Sequence, residues 1–355
     1  IEMDILMFVK VTPATSPDSK VQFILSNTTP RFEKATFETD FKAGLDDVDL
    51  KHDGGDRWVN YFKVAVKGLH PHLPSKILSA NNRPGLIEVL VDGTIPPESS
   101  LSSSAAMTCC SSIVVLEAFG AREIISRREM AEVAIESERL VGVNSGGMDQ
   151  AASIFGHRDH ALRISFFPEL KAQPIPMPKA DPNYTLVIAN TLIVSDKKVT
   201  GPIHYNLRTV ELRLASRAIA NKLGLPKTAA TAQLNGLLRA YYEKNPDALE
   251  KDSDKQGIAK AREEAGEEAA RIYHFGKLAE GAIPTEAVTR EKAEELTGYS
   301  GKAYEDEFLS RFPSEYTAQR SRLVAALTHV IHQSAETSSS CTSARITSST
   351  RRSEH

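Results

Sequence analysis

The pattern of apolar and polar residues along this chain predicts a mixture of strands and helices. Strands are predicted over residues 3–12, 20–25, 87–91, 160–167 and 184–194. Apolar residues at helical spacing predict helices over 58–69, 104–119, 126–141, 202–214 and 285–296, and the chain is largely helical after residue 229. The polar stretch 42–56 is predicted to be a surface loop. Together these elements predict an α+β fold.

A polar turn joins the strand at 87–91 to a helix built largely from small residues. Gly93, Pro96 and Pro97 end the strand, and a run of serines precedes the helix. The turn and the first helical turn therefore present backbone N–H groups and hydroxyls at the positive end of the helix dipole, which suits a phosphate group. The simpler interpretation is that these serines are only helix caps and solvated turn residues.

A second informative stretch begins with Ser126, which is followed three residues later by Glu129 in a capping box. The helix that it starts carries Glu138, and a tight turn over 144–147 leads into the next helix. Asp149 lies in the first turn of that helix, near the positive end of its dipole. The simpler interpretation of Asp149 is a dipole-stabilising charge worth ~0.5 kcal/mol. That of Glu138 is a residue on a solvated helix face.

Composition excludes several classes of function. At 355 residues the chain can bury a large core and is expected to form two lobes or domains. Its net charge of −3 provides no electrostatic footprint for nucleic acid. No apolar run reaches the ~18 residues that a membrane span needs. Three cysteines, two of them adjacent, do not make a disulfide framework, so we expect a reducing, cytoplasmic location.

Three stretches resemble the GHMP small-molecule kinase superfamily and, within it, galactokinases of the fungal type. They read P-P-E-S-S-L-S-S-S-A from Pro96, S-G-G-M-D-Q-A-A-S from Ser145, and A-N-T-L-I-V-S-D-K-K with the later Y-N-L-R-T-V-E from Ala189. A shorter similarity, R-W-V-N-Y, begins at Arg57. The resemblance extends over roughly residues 1–316 and fades beyond them.

The resemblance implies a role for each of these positions. Asp149 is expected to act on the sugar hydroxyl that receives the phosphate, and Gly146 and Tyr205 to contact the sugar. Ser104 and Glu138 are the implied Mg²⁺ ligands. The implied nucleotide-binding residues are Trp58, beside the adenine, and the loop residues Ser99, Ser100, Leu101, Ser102, Ser103, Ser104 and Ala105.

The chain also departs from the family pattern. Glu98 and Ser100 replace the two glycines of the usual loop P-x-G-x-G-L-S-S-S-A, and Glu98 adds a negative charge beside an anionic ligand. We therefore expect weakened nucleotide affinity. The sugar-binding motif R-V-N-L-I-G-E-H-x-D-Y and the glycine-rich motif G-A-G-W-G-G are not found in this sequence. These departures predict a chain truncated at both ends, with weak or no activity.

These observations lead to one interpretation with two alternatives. We expect a two-lobed GHMP kinase fold with the active-site cleft between the lobes: an N-terminal lobe over 1–168, a C-terminal lobe over 169–322, and a Ser/Thr-rich, disordered or aberrant tail over 323–355. The expected reaction is phosphorylation of galactose at its C1 hydroxyl, with ATP and Mg²⁺. The alternatives are a non-catalytic galactose- and ATP-binding transcriptional regulator, which would have a regulatory protein partner, and an N-acetylgalactosamine kinase.

Overall fold

The computed structural model describes residues 3–16, 18–41, 44–50, 54–79, 83–142, 145–166, 169–177, 187, 206–227, 233–284 and 288–310. The chain divides into two compact units, Ile1–Gly201 and Pro202–His355. The predicted lobe boundary at 168/169 and the character of the 323–355 tail stay predictions. The predicted strand over 184–194 lies outside the described residues except for Val187, and residues 202–205 of the predicted helix also lie outside them.

The first unit is built on a four-stranded mixed sheet. Its strands are β1 (Ile5–Pro13), β2 (Val21–Asn27), β3 (Ala35–Thr39) and β4 (Pro84–Gly93), in the spatial order β1–β4–β2–β3. Strands β2 and β4 run parallel, whereas the β1–β4 and β2–β3 pairs are antiparallel. The sheet confirms the predicted strands at 3–12, 20–25 and 87–91. Strand β3 was not predicted.

Five helices belong to the first unit: α1 (Asn60–Leu69), α2 (Ser75–Leu78), α3 (Ser103–Ala118), α4 (Arg127–Arg139) and α5 (Met148–Phe155). A 3₁₀ turn, Arg57–Val59, precedes α1. The inward side chains of the sheet, such as Phe23 and Ile87, share one core with Phe62 of α1 and Leu116 of α3. This packing holds the start of α3 at the end of strand β4. A two-stranded antiparallel sheet of β5 (His160–Ser165) and β6 (Lys171–Pro176) follows α5.

Helix α3 is buried although it contains many serine and threonine residues. The hydroxyls of Thr108, Ser111 and Ser112 each donate to the carbonyl four residues earlier, over 2.7–3.0 Å. Buried hydroxyls need a hydrogen-bond partner, and this helix supplies it from its own backbone. Its small side chains therefore pack in a close environment without unpaired hydroxyls at these three positions.

The second unit is helical over the residues that the structure describes. Its helices are α6 (Leu207–Lys222), α7 (Gln233–Lys244), α8 (Ala248–Lys251), α9 (Lys255–Ala265), α10 (Glu267–Glu280), α11 (Arg290–Thr297) and α12 (Gly301–Tyr304), followed by a π-helical turn, Glu305–Leu309. Helix α11 begins later than the predicted residue 285, because Thr289 caps it by accepting a hydrogen bond from the Lys292 backbone N–H. Among all described helices, none combines the length and apolar character that crossing a membrane requires.

Candidate active site

A cavity of about 400 Å³ lies in the first unit, at the end of the sheet where β4 leads into α3. Its wall includes Trp58, Ser100, Ser102, Ser103 and Ser104, all of which were predicted to bind a nucleotide. The serine loop and the tryptophan are more than forty residues apart in sequence, so the fold itself brings them to one site. Apolar side chains line much of the remaining wall: Ile5, Phe32, Val91, Ile95 and Met107.

The loop before α3 has an unusual backbone. Glu98, Ser100 and Ser102 adopt positive φ angles of 61°, 59° and 61°, whereas the residues between them do not. Such an alternation turns successive backbone N–H groups toward one concavity, which is an arrangement that binds anions. Ser102 is the N-cap of α3 and makes no side-chain capping bond, and Ser99 donates to the Pro96 carbonyl over 2.6 Å. The cavity thus receives both the loop and the N-terminus of a long helix.

The tryptophan on the opposite side of this loop is held in place by two contacts. Its indole Nε1–H donates to the Glu33 carbonyl over 2.9 Å, and its ring lies 5.8 Å from that of Phe32. The Arg31 guanidinium lies over the Phe32 ring, 4.7 Å from its centroid. The three side chains therefore form a layered aromatic and cationic wall, which suits a flat heterocycle.

The structure separates the predicted loop residues into two groups. Ser100, Ser102, Ser103 and Ser104 lie in the wall of the cavity, and Ser104 is only 6% exposed. Ser99, Leu101 and Ala105 are not among the lining residues; Ala105 is buried in the protein interior. The cavity also has lining residues that sequence reasoning missed, and the polar ones are Asn27, Thr29, Arg31, Arg57 and Asp92. No signal in the local sequence marked them, apart from Arg57 in the R-W-V-N-Y string.

Helices α3, α4 and α5 meet at a buried junction beside this cavity. Glu138 of α4 is 2% exposed and Gln150 of α5 is 1% exposed. The Gln150 Nε2 donates to Glu138 Oε2 over 2.5 Å, and the Cys109 thiol of α3 lies 3.9 Å from the Gln150 carbonyl oxygen. Burial, together with the nearby Glu138 carboxylate, raises the pKa of the Cys109 thiol to about 12. The interpretation of Glu138 as a solvated helix residue is therefore wrong.

Asp149 lies in the first turn of α5 and is half-buried, as the sequence predicted. Gly147 is the N-cap of this helix, with φ at +92°, and a Cβ there would lie 2.5 Å from Ile135 Cδ1. Gly146 is exposed. Helix α5 thus starts at a fixed place against α4, and the Asp149 carboxylate follows directly. Tyr205 lies outside the described residues.

The residues present fit a magnesium ion bound together with a nucleotide. Among the described residues, no three His, Cys, Asp or Glu side chains cluster as a closed metal site. Mg²⁺ characteristically takes one or two protein oxygens and completes its shell with phosphates and water. Glu138 and Ser104 would supply such oxygens, and Gln150 Oε1, buried beside Glu138, has no hydrogen-bond partner among the described residues. Glu138 and Asp149 are not themselves lining residues of the cavity. Ser104 and Cys109 link the two places, ~7.5 Å apart along the axis of α3.

Comparisons with known proteins agree with this geometry. Residues 60–157 match the family described as GHMP kinases N terminal domain. Over 341 residues the chain is 33% identical to a galactokinase of Schizosaccharomyces pombe, covering 92% of this chain and 62% of that protein. A galactokinase of Saccharomyces cerevisiae is 37% identical over 231 residues, covering 63% of this chain and 42% of that protein. The chain thus spans less than two thirds of the length of either relative.

A crystal structure of Lactococcus lactis galactokinase complexed with galactose matches 86% of this chain and 69% of that chain, with 21% sequence identity and a TM-score of 0.45. This similarity is too low for a transfer of positions. The family match and the two fungal relatives, by contrast, include the serine loop, the capping-box helix and the Met-Asp-Gln turn. The chain therefore belongs to the GHMP kinase family, and its curated relatives there are galactokinases.

Proposed function

We propose that this chain binds ATP in the cavity before α3 and derives from an enzyme that phosphorylates galactose at its C1 hydroxyl. The observation that carries the proposal is the shared wall of Trp58 and the serine loop, which offers one place for a base and another for phosphates. The names of the two fungal relatives support galactose as the sugar. We also propose a cytoplasmic location, as expected for an enzyme of sugar metabolism.

The nucleotide would bind with its two ends in different surroundings. The adenine would stack on Trp58, whose ring is fixed by its bond to Glu33 and its contact with Phe32. The β- and γ-phosphates would accept hydrogen bonds from the backbone N–H groups of the loop and of the first turn of α3. Arg31 and Arg57 add positive charge to the same cavity.

Ser104 and Glu138 would hold the magnesium ion through a hydroxyl oxygen and a carboxylate oxygen. When bound there, Mg²⁺ neutralises charge on the phosphate oxygens. The protein's own contribution is to keep these two oxygens fixed. Ser104 is anchored in the first turn of α3, and the Glu138 carboxylate receives the Gln150 amide.

Asp149 would take the proton of the sugar hydroxyl. In the proposed reaction, the C1 oxygen of galactose forms a bond to the γ-phosphorus while the bond to the β,γ-bridging oxygen breaks, so that ADP leaves. The hydroxyl proton passes to the Asp149 carboxylate, which lies at the start of a packed helix. Gly146, in the adjoining turn, and Tyr205 would contact the sugar.

The departures from the family loop support low turnover. Glu98 and Ser100 hold positive φ without the freedom of glycine, and Glu98 brings a carboxylate to the cavity that receives the phosphates. A regulator that binds galactose and ATP without turnover is the alternative that these two residues favour. An N-acetylgalactosamine kinase is distinguished only by the sugar that it accepts.

The test is ADP release by the 355-residue chain with galactose, with N-acetylgalactosamine and with no sugar. We expect release above the sugar-free rate with galactose, and loss of that increment in Asp149→Asn. Binding of galactose and ATP without any ADP release would favour the regulator. An increment with N-acetylgalactosamine alone would assign the other sugar. Failure to bind ATP would overturn the proposal.

A further inference from the structure

Gln150 is the best-buried polar side chain of the junction between α3, α4 and α5. Its amide nitrogen donates to Glu138 Oε2 over 2.5 Å and lies 3.5 Å from the Ser145 hydroxyl. Its backbone carbonyl faces the Cys109 thiol at 3.9 Å. One side chain thus connects the implied metal ligand on α4 with the turn and helix that present Asp149.

The orientation of the Gln150 amide is set by its partner. A carboxylate oxygen only accepts, so the atom facing Glu138 must be the NH₂ group, and a flipped amide would place two acceptors 2.5 Å apart. Oε1 consequently points away from Glu138. It is buried and has no hydrogen-bond partner among the described residues. An acceptor left in this state costs free energy unless a donor reaches it.

We propose that Gln150 is a positioning residue for the magnesium–nucleotide complex. Its NH₂ group fixes the Glu138 carboxylate in the orientation that a divalent cation needs, and its Oε1 accepts a hydrogen bond from a metal-bound water that arrives with the nucleotide. The inference rests on the proposed function, since it assumes that ATP and Mg²⁺ bind at this site. It assigns to Gln150 a role in metal affinity that goes beyond packing.

A purely structural role makes a different prediction. If Gln150 only ties α4 to α5, its replacement lowers the stability of the junction and weakens nucleotide binding equally with and without metal. If it positions Glu138 for the ion, only the metal-dependent part of binding changes. Removing a partner that orients a metal ligand typically lowers metal affinity 10–100-fold. The dependence on Mg²⁺ therefore separates the two roles.

The experiment uses the single tryptophan as its reporter, because Trp58 lies in the wall of the cavity. Quenching of its fluorescence by ATP is measured at increasing Mg²⁺ concentrations and again in EDTA. Gln150→Met keeps the length of the side chain and removes both polar groups; Gln150→Leu is a second apolar replacement of different shape. Cys109→Ala is the matched control, since it alters packing at the same junction and leaves the Glu138–Gln150 bond intact.

For both Gln150 variants we expect the Mg²⁺ concentration at half-maximal response to rise at least about tenfold. The affinity for ATP in EDTA should stay within about twofold of the wild-type value, as should both quantities in Cys109→Ala. An unchanged Mg²⁺ dependence in a folded Gln150 variant would overturn the inference, and so would an equal loss in EDTA. If the wild-type chain itself gives no response to ATP, the proposed function fails, and the inference fails with it.

Discussion

Glu98 and Ser100 lie two residues apart in the loop before α3, and both hold the left-handed backbone conformation, at φ angles of 61° and 59°. These are the two positions at which the related loops of the family carry glycine. A non-glycine residue in this region costs of order 1–2 kcal/mol. The loop therefore keeps the backbone path that glycine would favour, although its side chains do not favour that path.

The charge of Glu98 is predicted to weaken ATP binding. Glu98→Gln removes the negative charge and retains the side chain, so we expect the Kd for ATP to fall about fivefold at low salt, corresponding to about 1 kcal/mol of relieved repulsion. The gain should shrink at high ionic strength because salt screens the carboxylate. Fluorescence titration of Trp58 gives both values. Ser100→Gly is the control for backbone strain without a change in charge; equal Kd values for Glu98→Gln and wild type at low salt would contradict the prediction.

Asp149 is predicted to matter for turnover and little for the fold. Asp149→Asn keeps the size of the side chain at the first turn of α5 but removes the proton acceptor, so we expect kcat to fall about 10²–10⁴-fold. The Kd for ATP and the urea midpoint of unfolding should change little. Single-turnover measurement of ADP formation checks the first expectation. Retention of nearly full turnover would show that another group accepts the proton.

Gly147 is predicted to be indispensable for the start of α5. An alanine there would need a positive φ near +92°, and its Cβ would lie 2.5 Å from Ile135 Cδ1. Gly147→Ala should therefore lower the free energy of unfolding by about 1–3 kcal/mol. Its neighbour Gly146 is the matched control, because a Cβ there meets nothing within 4 Å. Urea unfolding of both variants decides the matter: similar losses, or none in Gly147→Ala, would contradict the prediction.

Asp254 makes the second unit sensitive to acid. Its carboxylate accepts hydrogen bonds from the Tyr273 hydroxyl at 2.8 Å, from the Gly257 N–H at 3.0 Å and from the Lys277 ammonium. These donors lower the pKa of Asp254 to about 2 in the folded chain. Because this value is below that of the unfolded chain, ~3.9, the stabilisation is fully present above that pH and is lost as the pH falls toward 2.

The corresponding measurement compares wild type and Asp254→Asn by urea unfolding between pH 6 and pH 2. We expect the wild-type chain to be more stable at pH 6 and the difference to diminish continuously below pH 4. A difference that stays constant over this range would show that the carboxylate charge does not contribute. Thr289→Ala, which removes another helix cap in the same unit without a titrating group, should give a difference independent of pH.

The elements that follow from local chemistry were predictable from the sequence. The capping box of Ser126 and Glu129 is confirmed, since both reciprocal hydrogen bonds are present. The placement of Asp149 in a first helical turn follows from the glycines before it and is confirmed as well. Such features depend on a few neighbouring residues, and their patterns are specific.

The features that depend on distant contacts were not predictable. Strand β3 is short, and only Ala35 and Thr39 of its five residues are buried, so it lacks a clear pattern. Arg31 reaches the cavity because β2 lies beside β4, a pairing that no local signal specifies. The burial of Glu138 arises from the packing of α5 on α4, which turns a charged position on an otherwise polar helix toward the interior.

The inward-turned hydroxyls of α3 have a consequence for how this protein tolerates change. Because each of Thr108, Ser111 and Ser112 shares a carbonyl that already has its helical partner, loss of the hydroxyl leaves no backbone group deprived. Evolution at these sites is then limited by volume and hardly by polarity. Alanine is an acceptable neighbour in sequence space, whereas leucine would force the helix away from the sheet and move the phosphate loop with it.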